Sequence, residues 1–184
     1  MDLRDMRPLP VEAVEALHAA GGTPRLLAHL LLVHDVAATL VEAVDRTWPR
    51  LRVDAGAVLL GAATHDIGKI LYPEEITRLG TDHAEAGETY LLRHGFTPAQ
   101  ARFARTHETW ASEPAARMED LLVALADQLW KGERNNALEE AITMAIADAV
   151  SDAPWAVYMD LDDIATPLAD AGPARLRLLA QVAA

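Results

Sequence analysis

The stretch Ala62-Ala63-Thr64-His65-Asp66-Ile67-Gly68-Lys69 decides how this chain reads. An apolar run, Ala55 to Ala63, leads straight into an imidazole beside a carboxylate, and a glycine follows two residues later. A buried carboxylate is costly to desolvate unless a cation or a full set of hydrogen-bond donors meets it. Adjacent side chains on a helix diverge by about 100°, so His65 and Asp66 reach one ion only near a helix end or kink. Gly68 is expected to provide that end. The plainer alternative pairs Asp66 with Lys69 at i+3 and leaves His65 as a core residue.

Working outward, the flanking sequence punctuates as helices. Thr23-Pro24 and Thr97-Pro98 each read as an N-cap followed by a first-turn proline. Gly68, Gly95 and Gly132 fall where helices should stop, and Pro49, Pro73, Pro114, Pro154 and Pro167 separate further segments. Ala and Leu dominate, and no period-two pattern of useful length appears. Helices are expected at about 10–19, 24–47, 54–66, 82–94, 98–110, 117–131 and 135–151, with a C-terminal pair after 160. The fold class is all-α, a single-domain bundle of seven or eight helices. On the 24–47 helix, Arg25, Asp35, Thr39, Glu42 and Arg46 mark an exposed stripe opposite Leu26, Leu30, Val33, Ala37, Leu40 and Val44.

The whole chain has 184 residues, enough for one domain with a real core. Its 16 Lys+Arg against 28 Asp+Glu give a net charge of −12. That balance argues against a duplex nucleic-acid partner, whose phosphates the surface would repel. With no Cys, disulfides, thiolate zinc sites, iron–sulfur clusters and Cys nucleophiles are excluded. The charged start leads into no signal core, and Leu26 to Val33 is interrupted by His29 and shorter than a membrane span. A soluble cytoplasmic protein with no membrane partner is expected, as monomer or homodimer.

Asp127 follows Leu121-Leu122-Val123-Ala124-Leu125 and interrupts an apolar helix face. With His65-Asp66 elsewhere, it reads as a second carboxylate ligand rather than a lone core Asp. These residues resemble the HD-domain metal-dependent phosphohydrolases, whose motif order is His … His-Asp … Asp. His65-Asp66-Ile67-Gly68-Lys69 looks like the central motif, and Asp127, about 60 residues later, like the closing one. The resemblance covers roughly 22–135 and implies one HD-like domain over 1–184, with the motif-bearing core at about 22–152 and a C-terminal extension at about 153–184.

The opening histidine is either His29 or His34. The family pattern of apolar or small residues at +4, +7, +8, +11 and +12 is met from His29 and poorly from His34. The two lie about 140° apart on a helix and are not expected in one site. His29 is therefore taken as the ligand, with His34 beside it or paired to Asp35. His83 and His107 sit where dinuclear subtypes carry two extra histidines, and Gly87 at +4 from His83 fits that pattern. The resemblance then implies one ion at His29, His65 and Asp127, a second at His83 and His107, and Asp66 bridging both. Single-metal use is the alternative, with His83 and His107 on the substrate phosphate.

An all-His/carboxylate donor set suits Mn²⁺, Fe²⁺ or Co²⁺, and Mg²⁺, Zn²⁺ and Ni²⁺ remain compatible. The implied reaction is hydrolysis of a phosphate ester or anhydride of a small molecule, a nucleotide being the expected class. Asp66 and Lys69 are the expected catalytic groups. Arg78 and Arg105 are candidate phosphate clamps, Glu108 a candidate general acid, and Trp110 or Trp130 a candidate base platform. Glu108-Thr109-Trp110 after His107 departs from the Gly-Tyr-Pro signature of the cyclic dinucleotide phosphodiesterases. A small stand-alone member is expected. A metal- or nucleotide-sensing module with little turnover, and a di-iron oxygenase of the same fold, stand as alternatives.

Overall fold

The computed structural model describes residues 2–76, 78, 80–113 and 116–182, which are helical with no strand among them. Pro114 and the last two residues of the C-terminal segment lie outside the described residues. The helices are α1 (Val11–Ala20), α2 (Pro24–Thr47), α3 (Ala55–Thr64), α4 (Asp82–Arg93), α5 (Pro98–Ala101), α6 (Phe103–Thr109), α7 (Met118–Leu129), α8 (Asn136–Val150), α9 (Pro154–Asp170) and α10 (Gly172–Leu179). Single helical residues, Arg102 and Ala171, join α5 to α6 and α9 to α10, so the bundle has eight rods among the described residues.

Local chemistry sets the boundaries. The Thr23 side chain accepts from the Leu26 N–H at 3.2 Å, ahead of Pro24, and starts α2. Asp54 does the same for α3 through the Ala57 N–H at 3.0 Å. Gly95 and Gly132, at φ 88° and 89°, follow α4 and α7 in the left-handed region. The C-terminal pair begins at Pro154, earlier than the expected start after 160, and α9 runs on through an exposed Pro167. A proline there forgoes one backbone bond on the solvent side, which bends a helix without unpacking it.

α2 is the centre of the bundle and packs against α3, α7, α9 and α10. It is buried around most of its circumference. The expected polar stripe is half covered, because Arg7 lies along it: its guanidinium reaches Asp35 and Thr39 at 3.1 Å and Glu42 at 2.9 Å. By length and composition α2 would cross a membrane, but 67% of its apolar window is buried inside the fold. Apolar side chains of α2, α3, α6, α7, α8 and α9 share one core, with Phe103, Leu122, Leu125 and Ile142 fully enclosed. A second cluster, including Leu26, Leu30, Ile67 and Leu91, backs the His65-Asp66 turn.

Candidate metal centre

The end of α3 makes the neighbouring His and Asp converge. α3 stops at Thr64, His65 caps it, and Asp66 sits at φ −100°, ψ 12° before the 3-10 turn Ile67–Ile70. That change of backbone direction removes the roughly 100° divergence of an unbroken helix. Gly68 serves a different purpose from the expected helix stop. A Cβ there would overlap the His83 carbonyl and lie 2.7 Å from the Gly87 amide nitrogen, so only glycine lets α4 pack directly on the turn. Gly87 belongs to the same contact, 3.1 Å from the Gly68 nitrogen by its own would-be Cβ.

Six side chains then face one centre. His29 comes from α2, His83 from the first turn of α4, His107 from α6 and Asp127 from α7. Asp66 Oδ2 lies 2.8 Å from His29 Nε2 and 3.5 Å from His65 Nε2. Its other oxygen, Oδ1, lies 3.1 Å from His83 Nε2 and 3.6 Å from His107 Nε2. Asp127 Oδ1 is 3.4 Å from His65 Nε2. Donor atoms of His29, His65, Asp66 and Asp127 fall within 4.8 Å of one another, and so do those of Asp66, His83 and His107.

The ring orientations are fixed from behind. His65 Nδ1 donates to the Ala62 carbonyl at 3.0 Å, and His107 Nδ1 to the Phe103 carbonyl at 3.1 Å. His83 Nδ1 faces the Glu75 carboxylate at 2.6 Å. These partners are acceptors, so each Nδ1 carries the proton and each Nε2 offers its lone pair inward. His83 Nε2 and His107 Nε2 meet at 3.4 Å, an arrangement two lone pairs tolerate only with a cation or a shared proton beside them. His65 Nε2 and Asp66 Oδ1 are fully buried and make no hydrogen bond. Unpaired acceptors in a buried site cost free energy that a divalent ion recovers. This donor set fits divalent cations of the kind nitrogen and oxygen ligands hold.

The charge balance agrees. Burial raises the Asp66 carboxyl, but the neighbouring imidazole of His65 and the close approach of His107, His29 and His83 outweigh it and hold the group well below the carboxylate range. Asp127 is likewise pushed up by burial and held low by His65 and Lys131. Burial lowers His83, yet Asp66 and Glu75 raise it further, leaving its net affinity for a positive charge above that of an ordinary histidine. All three directions favour cations at the centre.

A cavity of about 470 Å³ opens onto these residues, lined by His29, Asp66, His83 and Asp127 among others. Lys69 does reach Asp66 Oδ2 at 2.6 Å, the i+3 pair anticipated as the plainer reading, and it also lines the cavity. Arg25, Arg78 and Lys131 add three more cations to the wall. Glu108 lines it at 3.7 Å from His107, and Trp130 does so with its ring edge-on to His29 at 4.7 Å. Arg105 is instead held by Glu88 at 2.9 Å and by Glu113, and Trp110 packs against the core.

His34 lies outside both donor groups, 3% exposed, with Nδ1 unpaired. Glu75 was not legible beforehand. It sits eight residues before His83 in the short 3-10 turn Pro73–Ile76, where nothing in its spacing marks it, yet it also accepts the His83 backbone N–H at 3.1 Å. The C-terminal extension sends Leu176 and Leu179 into the cavity wall.

No solved structure matches this chain. The family model for the HD domain matches residues 26–153, well over half the chain and the span that holds all six converging residues, and the chain belongs to the HD domain family.

Proposed function

We propose that this chain is a metal-dependent phosphohydrolase that transfers a phosphoryl group from a small-molecule ester or anhydride to water, with nucleotides as the favoured substrate class. The observation that carries the reading is the sharing of one buried carboxylate, Asp66, between two imidazole sets, His29 with His65 on one oxygen and His83 with His107 on the other. Divalent ions held by these sets would supply Lewis acidity toward the phosphoryl oxygens and a lowered pKa for attacking water. Membership of the family supports metal-dependent hydrolase chemistry in general terms.

The chain's own residues account for the remaining parts. His29, His65 and Asp127 would hold one ion and His83 and His107 a second, with Asp66 shared between the two donor sets. Glu75 and the carbonyls of Ala62 and Phe103 keep three rings in the ligating tautomer. Lys69, Arg25, Arg78 and Lys131 draw an anionic substrate to a wall that departs from the chain's overall negative charge. In the reaction the bond from phosphorus to the leaving oxygen breaks, the water oxygen bonds to phosphorus, and the leaving oxygen takes a proton. Glu108, partly exposed beside His107, is placed to donate that proton.

The direct test is turnover of p-nitrophenyl phosphate and a nucleotide panel by chain loaded with Mn²⁺, Fe²⁺ or Co²⁺. Asp66→Asn should remove activity by about 10³-fold or more while the helical spectrum is kept. Unchanged turnover in that variant would refute the assignment.

A further inference from the structure

The cavity wall is not all charge. Its apolar part is Leu26 of α2, Trp130 after α7, whose ring lies 4.7 Å from that of His29, and Leu176 and Leu179 of α10. Residues 176 and 179 are one turn apart and share a face of α10. The matched family region ends at residue 153, so the part of this wall on α10, Leu176 and Leu179, lies outside it.

α10 is fastened to the end of α7 rather than draped over it. A Cβ on Gly172 would overlap the Gly132 amide nitrogen, so the two backbones touch. Arg175, 6% exposed, is directed into the joint: its guanidinium donates to the Leu168 carbonyl at 2.7 Å and to those of Leu129 and Trp130 at 3.4 Å. The Leu129 carbonyl also accepts the Gly132 N–H at 3.1 Å, and the buried cation adds a donor to it and to the Trp130 carbonyl at the C-terminal end of α7. Arg25 reaches the Leu179 carbonyl at 3.5 Å and ties the far end of α10 to the start of α2. The helix that carries Asp127 and the helix that carries Leu176 and Leu179 thus meet backbone to backbone at Gly132 and Gly172.

We propose that Leu26, Trp130, Leu176 and Leu179 form an apolar subsite that takes the organic group of a phosphate-bearing substrate, with α10 as the wall that sets specificity. The inference rests on the phosphohydrolase reading and adds the substrate's second half: a phosphate joined to a ring-sized apolar group, in preference to an inorganic or purely polar phosphate. Leu179 is buried and structural, whereas Leu176 is 43% exposed and free to be changed without unfolding the bundle.

The test compares phenylphosphonate with methylphosphonate, two non-hydrolysable anions that differ only in the organic group, by calorimetric titration of the metal-loaded full chain. The wild-type chain should bind phenylphosphonate at least about tenfold more tightly. Leu176→Ser should cut that ratio about fivefold and leave methylphosphonate binding within twofold. Equal affinities in the wild type, or equal weakening of both ligands by Leu176→Ser, would overturn the subsite. Loss of both ligands from chain that still holds metal would instead strike the phosphohydrolase reading and this subsite with it.

Discussion

Glu75 shows how much one side chain outside the motif contributes. Its carboxylate holds His83 from behind at 2.6 Å and accepts two backbone N–H groups at the start of α4. A carboxylate in that position fixes the tautomer and strengthens the ring as a ligand. Glu75→Gln should therefore weaken metal at the His83 and His107 positions by about 10- to 100-fold, read by titration with Mn²⁺, and leave the His29 and His65 positions nearly unchanged. An equal loss at both would contradict that division. His34 shows the opposite case, a histidine used as core. Burial lowers its pKa against the pull of Asp35. The unfolded ring takes up a proton near pH 6.5, and the folded ring only at lower pH. Stability from this residue is complete above 6.5 and is lost as pH falls from 6.5 toward the folded value. His34→Leu should flatten the acid limb of the stability curve relative to wild type, and parallel curves for the two would refute the assignment. Family spacing from His29 favoured it over His34 beforehand, and His29 is the one facing the centre. Glu75 gave no such signal, because a carboxylate on a short 3-10 turn acquires its partner only through tertiary folding.

At the scale of elements, the centre depends on how closely the turn after α3 meets α4. Both partners at that contact are backbone, so an added methyl has no flexible side chain to displace. Gly68→Ala should cost about 3 kcal/mol or more of stability, measured by urea denaturation, and should weaken metal binding with it. A variant of wild-type stability would mean that the turn and α4 are not in direct contact. Helices with strong caps were legible: α2 follows from Thr23-Pro24 and its apolar spacing, and its predicted span matches. α9 was not, because Pro167 reads as a break in sequence and is tolerated on an exposed helical face. The role of α10 was hidden for a related reason. Leu176 and Leu179 are ordinary apolar residues, and tertiary contacts such as the Arg175 joint, the Gly132–Gly172 approach and the Arg25–Leu179 tie bring them to the cavity.

Over the whole molecule, charge and burial divide the work. The chain is acidic overall, yet Arg25, Lys69, Arg78 and Lys131 gather at one cavity. Five helices and one turn converge on a carboxylate that is 1% exposed and bears two sets of imidazole neighbours on its two oxygens. The motif order in the sequence was enough to nominate the converging residues, since metal-ligand chemistry restricts which residue types appear there. The substrate end was out of reach, because apolar walls use the same residues as any core. The central claim is that Asp66 joins two metal positions, and metal content per chain, by elemental analysis of protein purified without chelator, tests it most directly. Two divalent ions per chain are predicted, falling to about one in the His83→Ala/His107→Ala double variant. A wild-type chain that takes up no ion even after Mn²⁺ or Fe²⁺ is supplied, or that never exceeds one, would contradict it.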